Sequence, residues 1–299
     1  MKTALHSVSY AGLWPGQARL GLEAFIDKAA DLGFEGIMLM AKRPHASVLD
    51  LDADDRKKIR ERLAERRLFL SCLAGYNNLT MDMEHPDVPA LEIQITYIVK
   101  LAELARDLGG NMVRVFTAFE NAVFPFQMQW ERCVQGLKEA SKRCADLGVT
   151  LAVQNHHDMA VHYESLFDLL QEVNEKNCRA AFDAWAVVLQ GDNLSEAVKK
   201  MAPFIVHTTV ADYVRRRRFS YQIPLVNYVR KEDVIKAVPV GEGIIDYRVF
   251  FNALKDAGYD GYVAYEMCSP LAGGGSEKNL DFCASKFLKF MKTVEENVC

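Results

Sequence analysis

The residues most able to do chemistry stand where short apolar runs end. LAVQNHHD closes on Gln154, Asn155, His156, His157 and Asp158, and RAAFDAW closes on Asp183. FIVHTTVAD carries His207, Thr209 and Asp212, and YVAYEM carries Glu266. MVRVFTAF holds Arg114 inside an apolar run, and the first run of the chain contributes His6. A carboxylate at such a place is costly to desolvate unless a cation or hydrogen bonds compensate it. Asp183 and Glu266 are both of this kind. Converging with an imidazole and an amide oxygen, they would make an oxygen and nitrogen site suited to Mn²⁺, Mg²⁺ or Zn²⁺. Alternate residues of a strand face one side, so Gln154 and His156 point the same way, as do His207 and Thr209. The same parity turns His157 away, as a solvent-facing or capping residue. The plainer alternatives are an ion pair of Asp183 or Glu266 with Arg114 or with an arginine of 215–218, a hydrogen-bonding role for Gln154, and a satisfied core imidazole at His207. His6, His45, His85 and His162 have no partner that the sequence names.

A repeated unit positions these residues. Ala-Asp-Leu-Gly (30–33) leads into FEGIMLM, Arg-Asp-Leu-Gly (106–109) into GNMVRVF, Ala-Asp-Leu-Gly (145–148) into VTLAVQN, and Asp-Ala-Gly (256–258) into YDGYVAYE. Each reads as a helix ending at a glycine that takes positive φ, followed by a short strand. Further strands are expected near 4–9, 68–74, 178–183 and 203–210, and further helices near 52–66, 127–147, 162–175, 193–200, 246–257 and 276–295. Strands alternating with helices mean a parallel sheet with helical crossovers. Eight such units in 299 residues predict an α/β fold of the (β/α)8 TIM-barrel kind, one domain over 1–299, with a doubly wound open sheet as the lesser alternative. A barrel of this kind works at the C-terminal ends of its strands, where the polar residues above stand.

Composition narrows the function. Lys and Arg number 36 against 40 Asp and Glu, a net charge of −4, which disfavours a nucleic-acid binder. No apolar run approaches the ~20 residues of a membrane span, and the N-terminus lacks signal-peptide character. The seven cysteines (72, 133, 144, 178, 268, 283, 299) are odd in number, scattered and without a C-x-x-C pair, a pattern of reduced thiols in a cytoplasmic protein. No Walker A or Rossmann glycine pattern stands in a strand–turn–helix context.

At this point the chain resembles the sugar-phosphate isomerase/epimerase superfamily, the xylose-isomerase-like TIM barrels. The resemblance rests on Gln154-Asn155-His156, Asp183, His207 to Asp212, Gly241-Glu242-Gly243 and Glu266, with GEGIIDYRVFFNALKDAGYDGYVAYE (241–266) the most specific stretch. It implies proton abstraction next to a carbonyl of a sugar or cyclitol, assisted by a divalent ion. The family's ligands are a Glu, an Asp, a His and a Glu; Asp183 and Glu266 carry over, whereas Gln154 replaces the first Glu and Thr209 the His. The expected metal set is therefore Gln154, Asp183, Glu266 and, reaching in from two residues earlier, His207. Glu266 or His156 is the expected base; Arg114, His207, Asp212 and Arg215 are expected to contact substrate.

An amide cannot take a proton at useful pH. Gln154 thus disfavours epimerisation between two carboxylate bases and favours a one-base reaction: isomerisation, dehydration, or elimination from a 3-keto-glycoside. A metal-depleted sugar-binding or partner-dependent barrel is the reading from another class. The resemblance allows a homo-oligomer. The connection from Arg215 to Val240 is too long for an ordinary βα loop and reads as a lid or binding loop, with an arginine and Tyr213 or Tyr221 over the substrate. Gly273-Gly274-Gly275 reads as a flexible turn, or as an anion-binding loop before the last helix.

Overall fold

A computed structural model describes residues 1–267 and 269–296. Its barrel strands are β1 (Lys2–His6), β2 (Gly36–Met40), β3 (Phe69–Ala74), β4 (Met112–Val115), β5 (Thr150–Gln154), β6 (Cys178–Ala181), β7 (Ile205–Val210) and β10 (Tyr262–Tyr265). They close in the order β1-β10-β7-β6-β5-β4-β3-β2, every pair parallel. The helices are α1 (Leu22–Leu32), α2 (Ala53–Glu65), α3 (Ala90–Asp107), α4 (Phe126–Ala145), α5 (Tyr163–Val173), α6 (Ala184–Gln190), α7 (Leu194–Met201), α8 (Tyr247–Asp256) and α9 (Glu277–Glu296). The repeated glycine does what the sequence asks of it: Gly33, Gly109, Gly148 and Gly258 all have positive φ.

Strand parity divides the apolar residues into two cores. Leu5, Ile37, Leu73, Val113, Leu151 and Val263 face outward and pack under the helices. Ala4, Met38, Cys72, Ala74 and Ala264 form a separate cluster of mostly small residues, with Met112 and Tyr262 against it. Two residues further along three of these strands stand His6, Arg114 and Glu266, so the apolar inner cluster is a floor beneath a polar layer. Fully burying each large outward side chain contributes roughly 1.5–3 kcal/mol, which fixes the strands that aim that layer.

Three local expectations are corrected. The first strand ends at His6 rather than near residue 9, because the His6 side chain accepts from Val8 N and starts a 3-10 turn at 7–10. The chain turns from β6 directly into the short α6, so nine helices rather than eight occur among the described residues. The stretch after β7 is a long antiparallel hairpin, β8 (Asp212–Gln222) and β9 (Asn227–Val238), paired from Asp212↔Val238 to Gln222↔Asn227. Phe219, Tyr221, Ile223, Leu225 and Tyr228 are exposed along its outer half.

Candidate active site

The C-terminal ends of the strands surround a cavity of about 400 Å³. Its walls come from strand ends (His6, Arg114, Gln154, Glu266) and from the loops just past them (Trp14, Lys42, Tyr76, Phe116, His156, His157, Trp185, Ser269), with Tyr213 and Ile235 from the root of the hairpin. Glu266 follows β10, its side chain 12% exposed. Nδ1 of His6 accepts from Val8 N at 3.1 Å, so its proton sits on Nε2, 3.8 Å from a Glu266 carboxylate oxygen. Burial, with repulsion from Arg114 next, holds the His6 pKa far below the usual imidazole range. The pair is a neutral N–H dipole beside a carboxylate rather than an ion pair.

Asp183, fully buried at the end of β6, does not line the cavity. Its Oδ1 accepts from Thr209 N at 2.7 Å, and its Oδ2 accepts from Thr209 Oγ1 at 2.6 Å and from Gln154 Nε2. Asn155 pins its backbone, accepting from Asp183 N at 2.7 Å and donating to Asp183 O at 2.9 Å. Burial raises the Asp183 pKa; the donors of Thr209 and Gln154 pull against that rise. The ion pair weighed for Asp183 is thus replaced by hydrogen bonds within the wall.

His156 and His157 both line the cavity. Parity does not carry past Gln154: β5 ends there and His157 has φ 64°, which swings its ring inward. Their Nδ1 atoms are 3.0 Å apart, so one donates and the other accepts. Burial first, then mutual or Arg114 repulsion, lowers His156 to about 3 and His157 to about 4. Both are neutral at pH 7, packed on Phe116 with ring centroids 5.0 and 4.0 Å away.

The remaining expected contacts separate. Arg114 lines the cavity, but His207, Asp212 and Arg215 do not. His207 is buried, with Nε2 3.4 Å from Ser71 Oγ, and Ser71 spends its proton on Ile37 O. Burial lowers His207 to about 3. Asp212 accepts from the backbone N–H groups of Tyr213, Gly241 and Gly243, each at 2.9 Å, and so closes the root of the hairpin. Arg215 is exposed on the hairpin, donating to Leu189 O at 3.4 Å. Tyr213 reaches the cavity; Tyr221 packs against Tyr228 on the outer hairpin instead.

The donor set does not fit a divalent ion. Gln154 presents its amide N–H to Asp183, Thr209 occupies both oxygens of that carboxylate, and His207 sets Nε2 beside Ser71 with Nδ1 buried and without a hydrogen-bond partner. Among the described residues no three of His, Cys, Asp and Glu converge as a metal site. Arg114 adds a permanent positive charge to the same cavity.

Sequence reasoning passed over Lys42, Tyr76, Trp14 and Trp185. Lys42 had a signal, since it closes the apolar run GIMLMA as Glu266 closes YVAY.

An eight-stranded parallel barrel with a cavity at the C-terminal rim, walled by aromatic rings and carrying Arg114, Lys42 and Glu266, defines the class. The chain belongs to the xylose isomerase-like TIM barrel family, whose sequence profile matches residues 26–286. It is 22% identical to fructoselysine 3-epimerase of Escherichia coli O157:H7 over 265 residues, 84% of this chain and 87% of that protein. It is 22% identical to an inosose dehydratase of Histophilus somni, covering 82% of this chain and 81% of the relative. In fold it superposes on D-psicose 3-epimerase of Clostridium cellulolyticum H10 with a TM-score of 0.76 at 17% identity, over 98% of this chain and 99% of the other. It also superposes on a probable 3-DHS dehydratase of Bacillus anthracis with a TM-score of 0.73 at 16% identity, over 97% and 99%. No helix among the described residues is long and apolar enough to cross a membrane.

Proposed function

We propose that this enzyme removes a proton from the carbon next to a carbonyl in a small polyhydroxylated ketone, a keto-sugar or cyclitol, with Glu266 as its single base. One observation carries the reading: among the described residues lining the cavity Glu266 is the one carboxylate, and Gln154 stands where a second would be needed. His156, held near 3, is too weak a base to compete and serves as a neutral hydrogen-bonding group. The Glu266 carboxylate takes the proton, the C–H electron pair forms the enolate double bond, and charge moves to the carbonyl oxygen. The positive field of Arg114 and the neutral imidazole N–H groups favour that charge. In isomerisation the hydroxyl on the deprotonated carbon passes its proton to the carbonyl oxygen while Glu266 returns its own proton to the former carbonyl carbon; in elimination the enolate expels a β-oxygen, which takes the Glu266 proton and departs as water or alcohol. The epimerase and dehydratase relatives support both outcomes, and the single base weighs against two-base epimerisation. The five described cysteines are buried free thiols, which suits a cytoplasmic enzyme; Cys268 and Cys299 lie outside the described residues.

The test is solvent-isotope exchange. Keto-sugars and keto-cyclitols incubated with the enzyme in D₂O should gain deuterium next to the carbonyl, and Glu266→Gln should slow this by about 10²–10⁴-fold. Full exchange activity in that variant would remove Glu266 from the mechanism.

A further inference from the structure

We infer that the cavity holds its substrate by a permanently charged oxyanion, a carboxylate or a phosphate, seated between Arg114 and Lys42. This rests on the cavity's being the active site and adds the chemical class of what enters it. The starting observation is an unsatisfied cation. Arg114 is 3% exposed, lines the cavity, and has neither Nε nor Nη1 engaged by a hydrogen-bond acceptor. A buried guanidinium with two nitrogens lacking acceptors is a costly arrangement that folded proteins avoid unless a ligand completes it.

The surroundings fix the cation without neutralising it. Its central carbon lies 3.8 Å from the centroid of Phe116 and 4.9 Å from that of Tyr76. Aromatic faces hold a guanidinium plane by cation–π attraction while its N–H edge stays available. The wall behind offers no rescue, because the Asp183 oxygens are already held by Thr209 and Gln154.

Lys42 is the second, independent observation. It leaves β2 beside the cavity, and its Nζ lies 3.8 Å from the centroid of the same Tyr76 ring. Two cations thus share one aromatic ring. Their repulsion shows in Lys42, whose pKa is lowered by burial first and by Arg114 second. Against them the cavity lining sets one carboxylate, Glu266. Two cations against one carboxylate leave the lining itself short of negative charge. A neutral ketone leaves that imbalance in place. An oxyanion removes it and gives Arg114 its acceptors through charge-assisted hydrogen bonds.

The experiment titrates the purified enzyme with inorganic phosphate, acetate and neutral glycerol at matched ionic strength. It follows the fluorescence of the cavity tryptophans Trp14 and Trp185, and thermal melting. Saturable binding of phosphate or acetate, but not of glycerol, is expected. The tighter of the two identifies the group as phosphate or carboxylate. Lys42→Gln, a half-buried and sterically mild change, should weaken that binding by about tenfold while the circular dichroism stays native, and Arg114→Gln should weaken it at least as much. Absence of saturable binding by either anion, or equal affinity in native-like Lys42→Gln, would overturn the inference. Because the titration needs no turnover, it separates from the isotope-exchange test. Anion binding with no exchange on any ketone would fault the proposed reaction, and exchange on neutral ketones with no anion binding would fault the oxyanion seat.

Discussion

The amide of Gln154 and the hydroxyl of Thr209 both donate to Oδ2 of Asp183, while the Thr209 backbone N–H holds Oδ1. Each replacement of a family ligand therefore supplies a donor where a metal would require an acceptor. That wall gives a prediction at the level of one atom. Gln154→Glu removes one donor from Asp183 and sets a like charge beside it, so in EDTA it should cost about 1–3 kcal/mol of stability. Added Mn²⁺ should recover much of that loss, because the variant regains a second carboxylate for the ion. The wild-type melt should not move with Mn²⁺. Saturable stabilisation of the wild type by Mn²⁺, read by differential scanning calorimetry, would show that Gln154 and Asp183 turn toward an ion instead of toward each other.

At the level of elements, the hairpin of β8 and β9 hangs on Asp212. Its carboxylate gathers the N–H groups of Tyr213, Gly241 and Gly243, and a Cβ at Gly243 would stand 1.9 Å from its Oδ1. Asp212→Asn keeps the shape but turns part of this acceptor into a donor facing N–H groups. It should cost about 1.5–3 kcal/mol, as bonds to a charged acceptor do, and open the hairpin root. Trypsin should then cut faster within Arg215–Arg218, and the cavity should loosen through Tyr213 and Ile235. Unchanged melting and unchanged cleavage would reduce Asp212 to a bystander. This hairpin was not legible beforehand. VRRRRFSYQ and NYVRKEDVIKAV bury little and alternate poorly, and the tip around Ile223–Val226 lacks an Asn-Gly or Asp-Gly turn pair, so only excess length was visible. The barrel was legible because its helix–glycine–strand unit recurs with apolar runs that close on polar residues. The same logic found Arg114, Gln154 and Glu266. It failed for Tyr76, Trp14 and Trp185, which lie in loops whose inward course depends on tertiary packing. It also failed for the pairing of His6 with Glu266, which exists only because β1 and β10 close the barrel.

The molecule as a whole carries an unusual number of histidines kept neutral. His6, His156, His157, His207 and His45 all have folded-state pKa values below the usual 6.5, each because burial disfavours the imidazolium first of all. In the unfolded chain the same rings take up protons near pH 6.5. The unfolded state then binds more protons than the folded one, and by linkage stability falls as pH falls through 6.5, toward folded values of about 3 for His156 and His207. Each such ring contributes a slope of up to ~1.4 kcal/mol per pH unit once the pH is well below 6.5. Asp183 and Asp212 work the other way: burial raises their folded pKa values, so on acidification the folded state takes up their protons first and gains relative to the unfolded chain. His85, raised by its hydrogen bond to Asp82, joins these two, and five histidines against three such groups leave the net sign with the histidines. Melting temperature should therefore be nearly level from pH 8 to 7 and drop by roughly 10 °C per pH unit between 6 and 5. Titration of the released or absorbed protons should show net uptake on unfolding at pH 5.5. A melting temperature that held or rose over that interval, or net proton release on unfolding, would mean that these rings are already charged in the folded barrel, and with them that the cavity is far more polar than its aromatic walls imply.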